Sequence, residues 1–167
     1  YDLMALFTGS EGLLGIVTEV TVRLLPAPEI ARVIMAGFDS IDAAGDAVSA
    51  VIAAGIIPAG LEMMDRLAIQ AAEDFSHAGY PRDAAAILLC EMDGTQEEVA
   101  QHVDEVATLF EHRGATSLTI SSDEIHRVLL WKGRKSAFPA VARLAPDYYC
   151  MDGTIPRGQV TNVLNEI

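Results

Sequence analysis

The stretch from Ala84 to Arg113, AAAILLCEMDGTQEEVAQHVDEVATLFEHR, contains one complete strand–turn–helix unit. Its first part, Ala84 to Met92, is a continuous apolar run of the length typical of a buried strand. Asp93-Gly94-Thr95 forms a turn, and helical spacing then continues from Gln96 to Arg113 until Gly114 ends it. A strand followed closely by a helix is therefore the predicted building unit of this chain.

The same alternation is predicted on both sides of this stretch. The predicted strands are Ala31 to Phe38, Ala59 to Met64, Ser117 to Ile120 and Tyr148 to Ile155. The predicted helices are the Ala-rich segment that Ser40 opens and Gly55 ends, Arg66 to Ser76, a segment capped by Ser122 or Asp123 that runs beyond Trp131, and a last one opened by Pro156. A parallel, doubly wound sheet is one interpretation of this order. The connections are short and uneven, however, and single helices cover only one face, so an α+β sheet with helices mainly on one face is preferred.

A composition change divides the chain near its beginning. Pro26 and Pro28 end a predicted strand from Thr18 to Leu25, because proline cannot continue the hydrogen bonding of a central strand. Residues 1–28 are therefore predicted to end one domain, and residues 29–167 to belong to a second, truncated one. The chain begins at Tyr1 without an initiator Met, which favours a fragment of a longer protein.

Charge and composition exclude several classes of partner. The chain has 24 acidic and 11 basic residues, a formal charge of −13, so nucleic acid phosphates and anionic lipids are repelled. No apolar segment reaches the roughly 18 residues of a membrane span. The two cysteines, Cys90 and Cys150, lie in apolar runs and are predicted to be buried, reduced thiols. A cytoplasmic protein, or one peripheral to a membrane, is the simplest expectation.

A glycine-rich loop precedes the strand predicted from Thr18 to Leu25. Gly9, Gly12 and Gly15 occur within seven residues, and glycine allows positive φ and the close approach of a ligand to the main chain. Strand residues follow these glycines, whereas a helix follows those of the common nucleotide-binding fingerprints. Contact with a phosphate-bearing cofactor and a plain turn between strands both remain open on spacing alone.

Read as one string, residues 6–28 (LFTGSEGLLGIVTEVTVRLLPAP) resemble the closing segment of the FAD-binding domain in flavoproteins of the vanillyl-alcohol oxidase type, whose usual form is GSEGTLGI before a strand and a Pro-rich exit. Five later segments resemble the FAD-linked subunit of bacterial glycolate oxidases. They are residues 56–65 (IIPAGLEMMD), 71–80 (AAEDFSHAGY), 87–91 (ILLCE), 131–135 (WKGRK) and 146–156 (PDYYCMDGTIP). The resemblance covers essentially the whole chain.

This resemblance implies a fold, a cofactor and site residues. The second domain would be a ferredoxin-like cap with an antiparallel sheet. FAD would be bound by the longer parent protein, and its dinucleotide would touch Gly9, Ser10, Gly12, Gly15 and Ile16. The main pyrophosphate-binding loops lie upstream in such proteins, so this chain alone is expected to bind flavin weakly or not at all.

Arg134 is the candidate substrate ligand. Its guanidinium offers a planar fork of donors that matches a carboxylate. Relatives that oxidise 2-hydroxy acids use the Arg of a W-x-x-R motif in this way, and Trp131 to Arg134 keep that motif. The alternative is that Lys132, Arg134 and Lys135 form a solvated basic face.

The other polar residues favour structural roles. The four histidines show no metal-ligand spacing and are predicted to lie at the surface, so no metal site is expected. The acids at strand ends are expected to cap neighbouring N–H groups, and two tyrosines are candidates to line a cleft. The acids are Glu62, Asp65, Glu91 and Asp152, and the tyrosines are Tyr148 and Tyr149.

Two functions follow. The first is part of an FAD-dependent 2-hydroxy-acid oxidase or dehydrogenase that oxidises glycolate or D-lactate to the 2-oxo acid by hydride transfer to flavin. The resemblance also implies partner subunits, one of them carrying iron–sulfur clusters. The second is a non-catalytic cap or interaction module whose parent uses another substrate. No catalytic residue is assigned within this chain.

Overall fold

The computed structural model describes residues 1–145 and 147–166, with the exception of the side chain of Arg157. Pro146 and Ile167, which both fall in the predicted second domain, lie outside the described residues. The strands are Ile30–Phe38 (β1), Gly60–Asp65 (β2), Ala86–Gly94 (β3) and Ala115–Ile120 (β4). The helices are Leu3–Phe7 (α1), Ile41–Ala53 (α2), Arg66–Ser76 (α3), Gln96–His112 (α4), Glu124–Lys135 (α5), Ala137–Val141 (α6) and Val160–Glu166 (α7), with a 3-10 turn at Arg157–Gln159.

The four strands form one antiparallel sheet in the order β2-β3-β1-β4. Its centre is β1 paired with β3, and Ile34 lies opposite Cys90 in that pair. Helix α2 connects β1 to β2, and α4 connects β3 to β4; each connection passes over one intervening strand. This is the ferredoxin-like arrangement, with α3 added between β2 and β3. The predicted α+β class and antiparallel sheet are confirmed.

Helices cover both faces of this sheet, so the prediction that they lie mainly on one face is wrong. One face packs against α2 and α4, where Phe38 meets Phe110 edge-on at 6.0 Å between ring centroids. The other face packs against α3 and α5. Met35 of β1 and Leu130 of α5 belong to the hydrophobic cluster on that face. The physical reason lies in the central strands, since successive residues of β1 and β3 are buried and both faces therefore exclude water.

Side-chain caps fix the beginnings of the four longer helices. Ser40 caps α2, Asp65 caps α3, and Thr95 caps α4 through a capping box with Glu98. Of the two candidate caps for α5, Asp123 fills the position, accepting from the main-chain N–H of His126 at 2.8 Å. The predicted helix starts are therefore accurate where a cap residue marks them.

Two predicted strands are absent from the described residues. Residues 16–28 and 147–156 have neither helix nor strand, so the strands expected at Thr18 to Leu25 and at Tyr148 to Ile155 are wrong for this structure. Val20 is 72% exposed and Tyr149 87% exposed. β-propensity alone does not form a strand, because a strand needs a neighbour that completes its hydrogen bonds.

The two cysteines differ in environment. Cys90 is buried in β3, and burial raises the pKa of its thiol to about 12. Cys150 is a free thiol but exposed, so the prediction that both are buried is wrong for Cys150. None of the helices in the described residues is long and apolar enough to cross a membrane.

Candidate functional site

Helix α5 carries the W-x-x-R motif and is attached to the sheet by its side chains. The indole of Trp131 lies over Gly60, where an added Cβ would stand 3.3 Å from the ring. Its Nε1–H donates to the Glu91 carboxylate at 2.5 Å. Glycine at position 60 thus leaves room for the indole, and the Trp131 side chain joins α5 to β2 and β3.

Arg127 strengthens the same attachment. Its Nη1 donates to Glu91 at 2.6 Å, and its Nε and Nη2 donate to the two carboxylate oxygens of Glu124 at 2.7 and 2.6 Å. These hydrogen bonds, to Glu124 first and then to Glu91, raise the pKa of Arg127 above its ordinary value. Each of the three guanidinium nitrogens therefore donates to a carboxylate, and the bond to Glu91 holds α5 in place.

Arg134, two turns further along α5, is engaged differently. Its Nε donates to Oε2 of Glu62 at 3.2 Å, and its Nη2 lies 3.1 Å from the same oxygen. Its remaining N–H groups have no acceptor within residues 1–145 and 147–166. The Arg134 side chain is 32% exposed and that of Glu62 is 43% exposed. Most of the donor fork thus remains available to an anion.

A cavity of about 760 Å³ lies beside Arg134. Side chains of α3, α5 and α6 line it together with Tyr148 and Tyr149, so both tyrosines line the predicted cleft. Apart from Arg134, Asp65 is the charged residue that the described lining contains, and its carboxylate is occupied in capping α3. The cavity is therefore mostly apolar, with a single available cation at its wall. A mostly apolar site with one cation suits a small ligand that carries a carboxylate.

The basic cluster divides. Lys132 and Lys135 are exposed, as expected of a solvated face, whereas Arg134 is partly buried at the cavity. The structure gives Arg134 a place where a carboxylate can reach it. Its role as a substrate ligand stays a prediction.

The glycine-rich loop is exposed and held by few contacts. Gly9 and Gly12 have φ of 83° and 81°, and a Cβ at either would meet nothing within 4 Å. Ser10 donates its main-chain N–H to Phe7 at 3.1 Å and accepts one from Leu13 at 2.9 Å. The loop has the positive φ values and open faces that contact with a flavin dinucleotide requires, and it fits that group to this extent.

Two other predicted contact residues lie at the end of the loop. Gly15 has φ of 158°, and an added Cβ would stand 3.0 Å from the ring of Phe7. Ile16 is 88% exposed. No hydrogen bond or ion pair among the described residues joins residues 9–16 to Arg134 or to the sheet. The contacts predicted for Gly9, Ser10, Gly12, Gly15 and Ile16 stay a prediction.

Pairing of acids with α5 was missed from the sequence. Asp65 caps a helix as expected, but Glu62 and Glu91 accept from arginine and tryptophan side chains where main-chain N–H groups were predicted. The apolar context of Glu91, ILLCEM, was a signal, because a carboxylate inside a buried strand requires a partner.

The histidines form no metal site in the part of the chain that the structure describes. His77 and His112 are exposed, while His102 and His126 are partly buried. Within these residues no three side chains of metal-ligating type come together.

A sequence profile of the family described as FAD linked oxidases, C-terminal domain, matches residues 27–167. The chain belongs to this family. Two solved structures of alkyldihydroxyacetonephosphate synthase share the fold of this FAD linked oxidase domain, with TM-scores of 0.61 and 0.62 at 15% and 17% identity. Each comparison covers 86% of this chain and 29% of the other protein.

Curated relatives share much more of the sequence. The glycolate oxidase subunit GlcD of Escherichia coli (strain K12) is 60% identical over all of this chain and 34% of the relative. GlcD of Bacillus subtilis (strain 168) is 41% identical over all of this chain and 36% of the relative. The probable mitochondrial D-lactate dehydrogenase of Danio rerio is 30% identical over 99% of this chain and 33% of the relative. The predicted resemblance is confirmed, and the chain spans about one third of the length of these relatives.

Proposed function

We propose that this C-terminal domain of FAD linked oxidases belongs to an FAD-dependent enzyme that oxidises a small 2-hydroxy acid, glycolate or D-lactate, to the 2-oxo acid. The observation that carries the proposal is 60% identity, along the whole chain, to a glycolate oxidase subunit. The available fork of Arg134 at a mostly apolar cavity supports the same chemistry.

In this proposal the residues of the chain bind and orient. Flavin, when bound, supplies the acceptor for the hydride that leaves the substrate α-carbon. Arg134 holds the substrate carboxylate through its guanidinium donors, which fixes the direction in which the α-carbon points. The glycine loop at 9–15 contributes main-chain contacts to the cofactor. We assign no base for the hydroxyl proton to the described residues, because Asp65 at the cavity already caps α3.

The experiment is an anaerobic titration of the whole flavoprotein with glycolate and then with D-lactate, recorded as absorbance of the oxidised flavin band. Bleaching by one of the two acids is expected, and the acid that bleaches at lower concentration is the better substrate. Flavin that stays oxidised with both acids would contradict the proposed substrates.

A variant pair tests the assigned ligand. Arg134→Lys keeps the charge but loses the planar fork, so the substrate concentration needed for half-maximal bleaching should rise at least tenfold. Arg82→Lys is the matched control, since Arg82 forms an exposed ion pair with Asp74 outside the cavity lining. Equal behaviour of the two variants would remove Arg134 from the site.

A second candidate is a non-catalytic cap or interaction module of a parent with a different substrate. The observation in its favour is that Arg134 already has a carboxylate partner in Glu62. A parent protein that purifies without flavin, and takes none up, would favour this candidate.

The word subunit in the names of the glycolate oxidase relatives supports partner subunits. We propose that one of them carries iron–sulfur clusters and that the assembly is cytoplasmic or peripheral at the inner membrane.

A further inference from the structure

The two arginines of α5 that face acids of the sheet differ in how completely they are paired. Arg127 uses three donors on three oxygens of Glu91 and Glu124, and its side chain is 22% exposed. Arg134 directs Nε and Nη2 to a single oxygen of Glu62 at longer distances and is 32% exposed. The ion pairs of Arg127 are therefore the more completely hydrogen-bonded, and the Arg134–Glu62 pair is the more easily replaced.

We propose that Glu62 is a resident counter-ion of Arg134 that the substrate carboxylate displaces, so that Glu62 sets the affinity of the site for 2-hydroxy acids. The inference rests on the proposed function, in which Arg134 binds that carboxylate. In the absence of substrate, Glu62 neutralises the cation at a mostly apolar cavity wall. When substrate binds, its two carboxylate oxygens take the fork, and the Glu62 side chain, which is 43% exposed, turns towards solvent.

The position of Glu62 in the sheet explains why it meets Arg134. Met64 is buried on the sheet face that packs against α3 and α5. Side chains two residues apart in a strand point to the same face, so Glu62 lies on the face that α5 covers. Since β2 is an edge strand, the carboxylate also reaches solvent. A group that pairs with Arg134 and is then displaced must both lie on this face of the sheet and have access to solvent.

A purely structural role for the Glu62–Arg134 pair is less consistent with the contacts. Helix α5 is already attached to β3 through the Glu91 carboxylate, which accepts from Arg127 and Trp131. It is also attached through the Tyr80 hydroxyl, which donates to the carbonyl of Leu130. Helix α5 therefore has three attachments besides the Glu62–Arg134 pair.

The expected size of the effect follows from the exposure of the pair. Partly exposed ion pairs stabilise weakly, and their loss corresponds to a change of about two- to fivefold in an equilibrium constant. Glu62→Gln keeps the shape and one acceptor oxygen but removes the competing charge. The whole flavoprotein carrying Glu62→Gln should show a KM for glycolate or D-lactate lower by about two- to fivefold with kcat unchanged, because the change affects binding before the chemical step.

The matched control is Asp74→Asn, which removes one acidic charge from another arginine ion pair, with Arg82, away from the cavity. Its KM should equal that of the wild type. A double variant locates the effect: in an Arg134→Gln background, which removes the cation, Glu62→Gln should change KM much less than in the wild type, since the two residues act on one another. An unchanged KM in Glu62→Gln would overturn the proposal, and so would a raised one, which would make Glu62 a residue that positions Arg134.

A binding measurement separates this inference from the proposed reaction. Oxalate offers a carboxylate without an oxidisable hydroxyl, and its affinity can be measured by titration calorimetry on the whole flavoprotein whether or not glycolate and D-lactate reduce it. Glu62→Gln should bind oxalate about two- to fivefold more tightly than both the wild type and Asp74→Asn. If the acids fail to bleach the flavin but oxalate binding tightens as stated, the proposed reaction fails and the counter-ion stands. If bleaching occurs and oxalate binding does not tighten, the counter-ion fails alone.

Discussion

The ring of Tyr80 occupies the space that a side chain at Gly133 would need. A Cβ added at Gly133 would stand 2.6 Å from ring atom Cε2, closer than real Cβ contacts. The Tyr80 hydroxyl donates to the carbonyl of Leu130 one turn earlier in α5, and burial raises the pKa of that hydroxyl to about 12. Tyrosine and glycine together thus set how closely α5 approaches the segment that follows α3, and with it the place of Arg134.

Gly133→Ala should destabilise the chain. Overpacking costs about 1–3 kcal/mol, and so close a contact with the buried Tyr80 ring places the cost in the upper part of that range, above the gain of about 1 kcal/mol from replacing glycine by alanine within a helix. The measurement is the free energy of unfolding from urea titration. Gly153→Ala is the control, because an added Cβ there meets nothing within 4 Å and the residue is exposed. A Gly133→Ala variant as stable as Gly153→Ala, or more stable, would contradict a net cost of overpacking against Tyr80.

Local signals in the sequence were sufficient for the starts of the four longer helices but insufficient for the pairings that build the site. Ser40 was a recognisable cap, and Asp123 was one of two candidates, because a cap bonds main-chain groups only a few residues away. Glu62 and Arg134 are 72 positions apart, and their meeting depends on which strand lies at the sheet edge beneath α5. Neither composition nor periodicity contains that information.

Residues 18–25 were predicted to form a strand that the structure does not contain. Its alternating Val and Thr residues have high β-propensity, yet residues 16–28 form no ladder with the sheet. The Arg134 cavity could be anticipated only through the resemblance of the W-x-x-R motif, since nothing in the spacing of Trp131 and Arg134 distinguishes a site from a solvated helix face. Sequence patterns predicted the four strands of the sheet and its longer helices, whereas the site depended on contacts between distant elements.

Glu91→Ala should destabilise the chain by about 1–3 kcal/mol. The substitution leaves the indole N–H of Trp131 and one donor of Arg127 without their partly buried acceptor, and an unsatisfied donor costs this much. Trp131 is the single tryptophan of the chain, so its fluorescence reports the site directly. The emission maximum should shift to longer wavelength as water replaces the carboxylate.

The control for Glu91→Ala is Glu111→Ala, which removes an exposed glutamate from the last turn of α4. Its emission spectrum should match that of the wild type, and its urea midpoint should change little. An unshifted emission in Glu91→Ala would indicate that Trp131 does not depend on this carboxylate.

Glu98 should make the stability of the chain depend on pH in the acid range. Its carboxylate accepts from the main-chain N–H of Thr95 at 3.0 Å and from the Thr95 hydroxyl at 2.8 Å. The main-chain hydrogen bond first, and then the hydroxyl, hold the pKa of Glu98 below its ordinary value of 4.5. Because the folded pKa is depressed, this contribution is complete above the ordinary value and is lost as pH falls through the folded value.

Urea midpoints measured at a series of pH values between neutrality and about pH 3 test this expectation. Glu98→Gln should be less stable than the wild type near neutral pH, and the two curves should converge as pH falls. Glu97→Gln, which removes a carboxylate from the same turn without a bond to Thr95, should keep the wild-type pH dependence. Parallel curves for the wild type and Glu98→Gln would contradict the assignment.

Gly12→Val tests the predicted contact between the glycine loop and the flavin. Gly12 has φ of 81°, a conformation that valine adopts only with strain of about 1–2 kcal/mol, and its open face is where a ligand would approach the main chain. The whole protein with Gly12→Val should therefore purify with flavin well below one equivalent, measured as the ratio of flavin to protein absorbance. The fold of the cap should persist, since the loop makes no hydrogen bond to the sheet within the described residues.

The control carries the same backbone strain at a different place. Gly55 has φ of 80°, follows α2, and would also place its Cβ in open space. Gly55→Val should lower the urea midpoint, because the strain lies within the folded cap, and still retain one equivalent of flavin. Loss of flavin in both variants would mean that instability alone releases the cofactor. Full retention in Gly12→Val would show that the loop is a turn between elements and leave the flavin contacts to other parts of the enzyme.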